Sequence, residues 1–195
     1  MGMPEHSGLL QKNIGAATQT IQSLGALAEP LQRAADLISQ SLLAGHKLLT
    51  CGNGGSAADA AHFATEFVVR FMGNRRHFAA LALTESGSTL TAMGNDYTFE
   101  QIFARQVHAF GRPGDVLVAF STSGNSRNIL LALEAAAAVG MKSVVFLGKG
   151  GGFTRNKATV ELLVPSQATT RVQEAHLLLY HTLCEMIEPL LCEQK

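Results

Sequence analysis

Five short, nearly all-apolar runs recur along the chain, at 47–51, 79–83, 115–120, 143–147 and 159–164, and segments of helical character separate them. A strand apolar on both of its faces must be covered on both, which is the condition of a parallel sheet between layers of helices. The pattern predicts an α/β fold: a three-layer sandwich with a five-stranded parallel sheet flanked by helices. Such sheets bind ligands beyond the carboxyl ends of their strands. Two Gly/Ser-rich loops fall there, at 52–56 and 121–126.

The rest of the chain fits around that sheet. In the first 45 residues Leu24, Leu27, Leu31, Ala34, Ala35 and Ile38 recur at three- and four-residue spacing, and Pro30 predicts a break between two helices. This segment, about 8–45, has no chemistry and is expected to pack within or between subunits. Helices are also predicted at 56–71, in parts of 84–110, through 139 after the second loop, and at 169–191. The stretch 148–153 is expected to be a flexible loop too short to join domains. No linker divides the chain, so one domain over 1–195 is expected, with its α/β core at about 46–195.

Only 15% of residues are charged against 47% hydrophobic, which favours an oligomer that buries apolar surface. Lys plus Arg equals Asp plus Glu, at 15 each, so there is no basic excess to bind nucleic acid. Cys51, Cys184 and Cys192 show no metal-like pairing. The last two, eight apart on one predicted helix, lie roughly 12 Å apart, too far to bridge. Reduced thiols, no signal-like start in MGMPEHSGLL and no apolar run near ~20 residues predict a cytoplasmic protein outside the membrane.

The segment Ser121-Thr122-Ser123-Gly124-Asn125-Ser126 leaves a strand and enters a helix. The first turn of a helix has free N–H groups and the positive end of the dipole. Hydroxyls from Ser121, Thr122, Ser123 and Ser126 add donors, and Gly124 admits the backbone closely. One Ser or Asn would serve as a helix cap; five polar residues in six exceed that need and point to phosphate. No GxxxxGK[ST] or GxGxxG is present, which argues against a nucleoside triphosphate or a dinucleotide. In the first loop, Asn53 and Ser56 can hydrogen-bond a polyol that Gly54 and Gly55 let approach, although such a turn alone is a weak signal.

His62 and Glu66, four apart on one helix, share a face that also carries Asp59 and Arg70. The pair can ligate a metal, act as acid and base, or form an ordinary salt-bridged surface. Arg70 can reach a phosphate or pair with Glu66. Asn95-Asp96 reads as a turn with an Asx side chain. His176, among leucines on the last helix, reads as a packed core residue.

Taken together, CGNGGS, AHFATE, GNDYTFEQIF, STSGNSRN and RVQEAHLLLYH resemble the SIS (sugar isomerase) family and, within it, the phosphoheptose, or sedoheptulose 7-phosphate, isomerases. The resemblance covers about residues 10–190 in order. It implies the SIS fold and an aldose–ketose isomerase making D-glycero-D-manno-heptose 7-phosphate, a precursor of lipopolysaccharide or other surface glycans. It also implies a sugar phosphate held by the Ser/Thr loop and its sugar hydroxyls by Asn95 and Asp96. Glu66 is implied as the base, His181 as its acid partner, and one zinc ion per subunit on His62, Glu66, Gln173 and His181. A homotetramer, with N-terminal helices for oligomer packing, is implied as well. Two departures bear on substrate preference: Ala57-Ala58, where some members have His and Cys, and Thr169-Thr170, where some have an acidic residue. Relatives that bind the replication initiator depart at catalytic positions that this chain retains. Sugar-phosphate-sensing SIS domains usually accompany a DNA-binding module, which this neutral chain lacks.

Gln173 and His181 are eight helical residues apart, roughly 12 Å along the axis. Two ligands of one ion lie only about 3–4 Å apart. The site is therefore expected between subunits, with at least one group from a neighbour.

Overall fold

The computed structural model describes residues 8–192, so most of the N-terminal stretch read for a leader lies outside the described residues. The strands are β1 (Leu48–Gly52), β2 (Ala80–Ala82), β3 (Val116–Ser121), β4 (Lys142–Leu147) and β5 (Val160–Leu163). All pair in parallel, in the order β2-β1-β3-β4-β5. The helices are α1 (Leu9–Ser23), α2 (Ala28–Leu43), α3 (Gly55–Val68), α4 (Gly87–Asp96), α5 (Ile102–Phe110), α6 (Arg127–Ala138) and α7 (Thr169–Cys192).

Side chains alternate across each strand, so the sheet feeds two cores. Leu48, Val116, Val118, Phe120, Val144 and Phe146 face α2, α3 and α7. Leu49, Cys51, Leu117, Ala119, Val145 and Leu147 face α5 and α6. The sheet is thus the middle of three layers, as the apolar strands require. Asp115, buried at the entry to β3, accepts from the Lys47 N–H at 3.0 Å and the Arg112 N–H at 2.8 Å and pairs with the Lys47 ammonium. That tie fixes where β1 and β3 begin.

Two helices do precede the sheet, but the break is a 3-10 turn at Leu24–Leu27. Pro30 sits inside the first turn of α2, where its missing N–H costs no hydrogen bond. Of the helices expected to serve oligomer packing, α2 is spent on its own core through Leu31, Ala34, Ala35 and Ile38. Only α1 keeps Leu10, Ile14 and Ile21 exposed. The stretch expected to be flexible, 148–153, is instead a bent 3-10 segment, Lys149–Thr154, with Gly151 and Thr154 buried. Its partners lie in the 121–126 loop, some 30 residues earlier, which no local pattern announces.

The strand order reverses direction between β1 and β3. From there α3 leaves to one face of the sheet and α6 to the other. At such a switch point the two connections diverge and open a crevice. Gly52 is in register with Phe120, so both Gly/Ser-rich loops end at this crevice.

Candidate active site

The second loop is folded by its own hydroxyls. Ser121 Oγ accepts from the Gly124 N–H at 3.1 Å, and Ser123 Oγ accepts from the Asn125 N–H at 3.1 Å. Both hydroxyl hydrogens remain for a ligand. Gly124 has φ +64°, and a Cβ there would lie 2.0 Å from Gly151 O, so the turn requires glycine. Ser126 precedes α6 in extended conformation, and its side chain makes no cap bond to the helix. The capping explanation for this serine therefore fails, and among the described residues its hydroxyl has no partner beside the first N–H groups of α6. Asn53, Ser56, Phe120, Ser121, Thr122, Ser123 and Ser126 line a pocket of about 50 Å³.

Asn53, which lines that pocket, is held in place by another side chain. Its amide exchanges both polar atoms with Asn128: Nδ2 donates to Asn128 Oδ1 at 2.9 Å and Oδ1 accepts from Asn128 Nδ2 at 2.8 Å. Asn128 is 2% exposed. Sequence reasoning passed over it because its partner is 75 residues away. The pair ties the first loop to α6 across the switch point. Gly54 caps α3 and Gly55 begins it. A Cβ on Gly55 would lie 2.2 Å from Gln173 Nε2, so Gln173 lies against the first turn of α3.

The acid–base groups gather farther along the same helix. His62 Nε2 lies 2.9 Å from Glu66 Oε1, and the Glu66 side chain is 15% exposed. Ligating atoms of His62, Glu66 and His181 all fall within 4.8 Å of one another. The Tyr180 hydroxyl stands 2.9 Å from His62 Nδ1. Burial, reinforced by Asp59, Cys184 and Glu66, pushes the pKa of Tyr180 well above the usual phenol range, so the hydroxyl stays protonated. It can donate to Nδ1 or accept from it, so it serves either tautomer of His62. Asp59 Oδ2 is buried without a partner among the described residues. Burial pushes its carboxyl up to about 6, against the pull of His62.

Gln173 is not part of this cluster. Gln173 meets Gly55 and Tyr180 meets His62. Both contacts join residues 118 positions apart, so α3 and α7 run parallel and in step. Gln173 therefore lies about two turns from His181 toward the amino ends of both helices. Three of the four expected ligands converge within one chain; the fourth sits at the glycine loop.

Arg70 is exposed and donates to Met72 O at 3.2 Å. It pairs with neither Glu66 nor Asp59 among the described residues. The helix ends at Val68, so the face that carried the expectation stops short of Arg70. The arginine that does reach Glu66 is Arg75, which donates to Glu66 O at 2.5 Å and Phe67 O at 3.1 Å, two carbonyls at the frayed end of α3. It also pairs with Glu188 at 3.3 Å. Asn95 and Asp96 end α4, exposed and bonded to each other at 2.8 Å. His176 is fully buried, with Nε2 at 3.2 Å from Leu147 O; burial lowers its pKa to about 4, so it packs as a neutral ring.

Residues 13–148 match the SIS domain family. The phosphoheptose isomerase of Clostridium acetobutylicum is 46% identical over 92% of this chain and 91% of its own length. That of Bordetella avium is 51% identical over 87% and 88%. The solved phosphoheptose isomerase of Francisella tularensis superposes with a TM-score of 0.89, at 38% identity, over 92% of this chain and 96% of that one. The family match takes in both loops and the His62–Glu66 helix, the relatives cover about nine-tenths of the chain, and the chain belongs to the phosphoheptose isomerase family of SIS-domain enzymes.

Proposed function

We propose that the enzyme interconverts sedoheptulose 7-phosphate and D-glycero-D-manno-heptose 7-phosphate by proton transfer between C1 and C2. The observation that carries this reading is the mostly buried Glu66 carboxylate beside His62 and His181. An isomerase of this kind must remove a proton next to a carbonyl and return it to the neighbouring carbon. Glu66 takes and returns that proton. His181 exchanges a proton with the substrate oxygens. The 121–126 loop holds the phosphate with hydroxyls and N–H groups and takes no part in the transfer.

His62, Glu66 and His181 offer the two-imidazole, one-carboxylate donor set of zinc sites, with Tyr180 behind His62 to orient it. Bound there, zinc would supply electrophilic stabilisation of developing oxyanion character. The test is incubation with sedoheptulose 7-phosphate and identification of the product, before and after thorough metal removal. Absence of an aldose heptose 7-phosphate overturns the substrate. Activity fully kept without metal assigns zinc, where bound, a structural role.

The parallel α3 and α7 sharpen the expectation of a shared site. Glu66 lies ten residues beyond Ser56 on one helix, roughly 15 Å by helical rise. In our reading, Gln173 and the phosphate loop of one subunit complete the Glu66–His62–His181 cluster of another within a tetramer. Exposed Leu10, Ile14, Leu177 and Leu178 on α1 and α7 provide apolar surface for such contacts. Mixing Gln173→Ala with Glu66→Ala subunits then restores about a quarter of wild-type activity, because half the pairs are mixed and each holds one intact site. Mixing Glu66→Ala with His181→Ala restores none. Equal outcomes from the two mixtures would count against a shared site.

A further inference from the structure

An anion loop works only while its carbonyls face away from the anion. In the 121–126 loop the carbonyl at issue is that of Gly124, at the tip of the turn. Thr154 holds it from behind. The Thr154 N–H donates to Gly124 O at 3.0 Å and the Thr154 hydroxyl donates to the same oxygen at 2.6 Å. Thr154 is fully buried. Beside it the Phe153 N–H donates to Asn125 Oδ1 at 3.2 Å. Gly150, Gly151 and Gly152 all have positive φ and bend the chain back so that these donors face the loop. The contact is close throughout: a Cβ on Gly152 would lie 2.2 Å from Asn125 Oδ1.

We propose that Thr154 is a positioning residue for the substrate phosphate. By fixing the Gly124 carbonyl outward, it keeps the hydroxyls and N–H groups of the loop turned toward the anion. It acts only through Gly124 and touches no substrate. This inference rests on the phosphate role of the loop proposed above. The main-chain N–H of Thr154 alone leaves the carbonyl one bond and more freedom to swing, so the side-chain hydroxyl is the group to remove.

The experiment measures kcat and KM for sedoheptulose 7-phosphate, and the Kd of inorganic phosphate by calorimetry. It compares the wild type with Thr154→Val, Thr154→Ser, Asn125→Ala and Ser126→Ala. Loss of one buried hydrogen bond predicts that Thr154→Val raises KM and phosphate Kd together by about fivefold to tenfold. Its kcat stays within twofold, and Thr154→Ser restores both constants. Asn125→Ala, at an exposed position that asks nothing of the core, raises both by about twofold to threefold. It tests the neighbouring Phe153–Asn125 tie, and Thr154→Ala takes the place of the valine variant if that one fails to fold. Wild-type KM and Kd in Thr154→Val and Asn125→Ala, or a fall in kcat at constant KM, overturns the role of Thr154. If Ser126→Ala also leaves phosphate binding unchanged, or the wild type binds no phosphate, the phosphate role of the loop falls with it. Weakened binding in Ser126→Ala beside an unaffected Thr154→Val overturns the inference alone.

Discussion

Glu66→Gln is expected to lower kcat about a thousandfold while KM for the sugar phosphate stays within a few-fold of wild type. The amide keeps the shape of the carboxylate and can still accept from His62, whose Nε2 lies 2.9 Å from Glu66 Oε1. What it loses is the capacity to take a proton from carbon, a contribution of about 10²–10⁴ for a positioned base. The loop proposed to hold the phosphate is built by other residues at the other end of α3, so binding is expected to be spared. Steady-state kinetics on the purified variant reads both constants. A variant that keeps more than a tenth of wild-type kcat would remove Glu66 from the proton path.

The second large effect falls on stability. Glu188→Ala deletes the partner of Arg75, whose side chain is 2% exposed, and leaves the Met72 N–H without the acceptor it has at 2.8 Å. A buried cation stripped of its carboxylate typically costs about 3–5 kcal/mol. For a chain of this length that corresponds to a fall in Tm of roughly 6–20 °C, read by calorimetry or circular dichroism. A shift under about 2 °C would mean that Arg75 finds water or another acceptor. The loss also reaches the site, because Arg75 bonds the carbonyls of Glu66 and Phe67 where α3 ends.

These two residues mark what local sequence can and cannot reveal. His62 and Glu66 were legible because four-residue spacing on a helix puts two side chains on one face. The same rule carried on to Arg70 fails, since α3 stops at Val68 and the backbone no longer obeys the helical period. Arg75 and Glu188 meet only because α7 packs beside the end of α3. The five strands were legible for a local reason, their unbroken apolar character. Asn128 was not, because a residue in the first turn of a helix gives no sign that its amide faces another loop. The 149–154 segment misled in the same way: three glycines read as slack, yet their positive φ values serve to bring Thr154 onto Gly124. The two-turn separation of Gln173 and His181 was visible in advance, as helical rise is independent of context.

The reciprocal amide pair also bears on chemical ageing. Asn53 is followed by Gly54, the kind of neighbour beside which an asparagine most readily cyclises and loses its ammonia, since a glycine N–H reaches the side-chain carbonyl carbon with no Cβ in the way. Cyclisation requires the Asn53 side chain to swing onto its own backbone. Held at both polar atoms by Asn128, it cannot do so without breaking two hydrogen bonds. Conversion to aspartate would set a carboxylate oxygen against Asn128 Oδ1, in the pocket that Asn53 shares with the 121–126 loop. The working lifetime of the first loop is thus guarded by a residue 75 positions away.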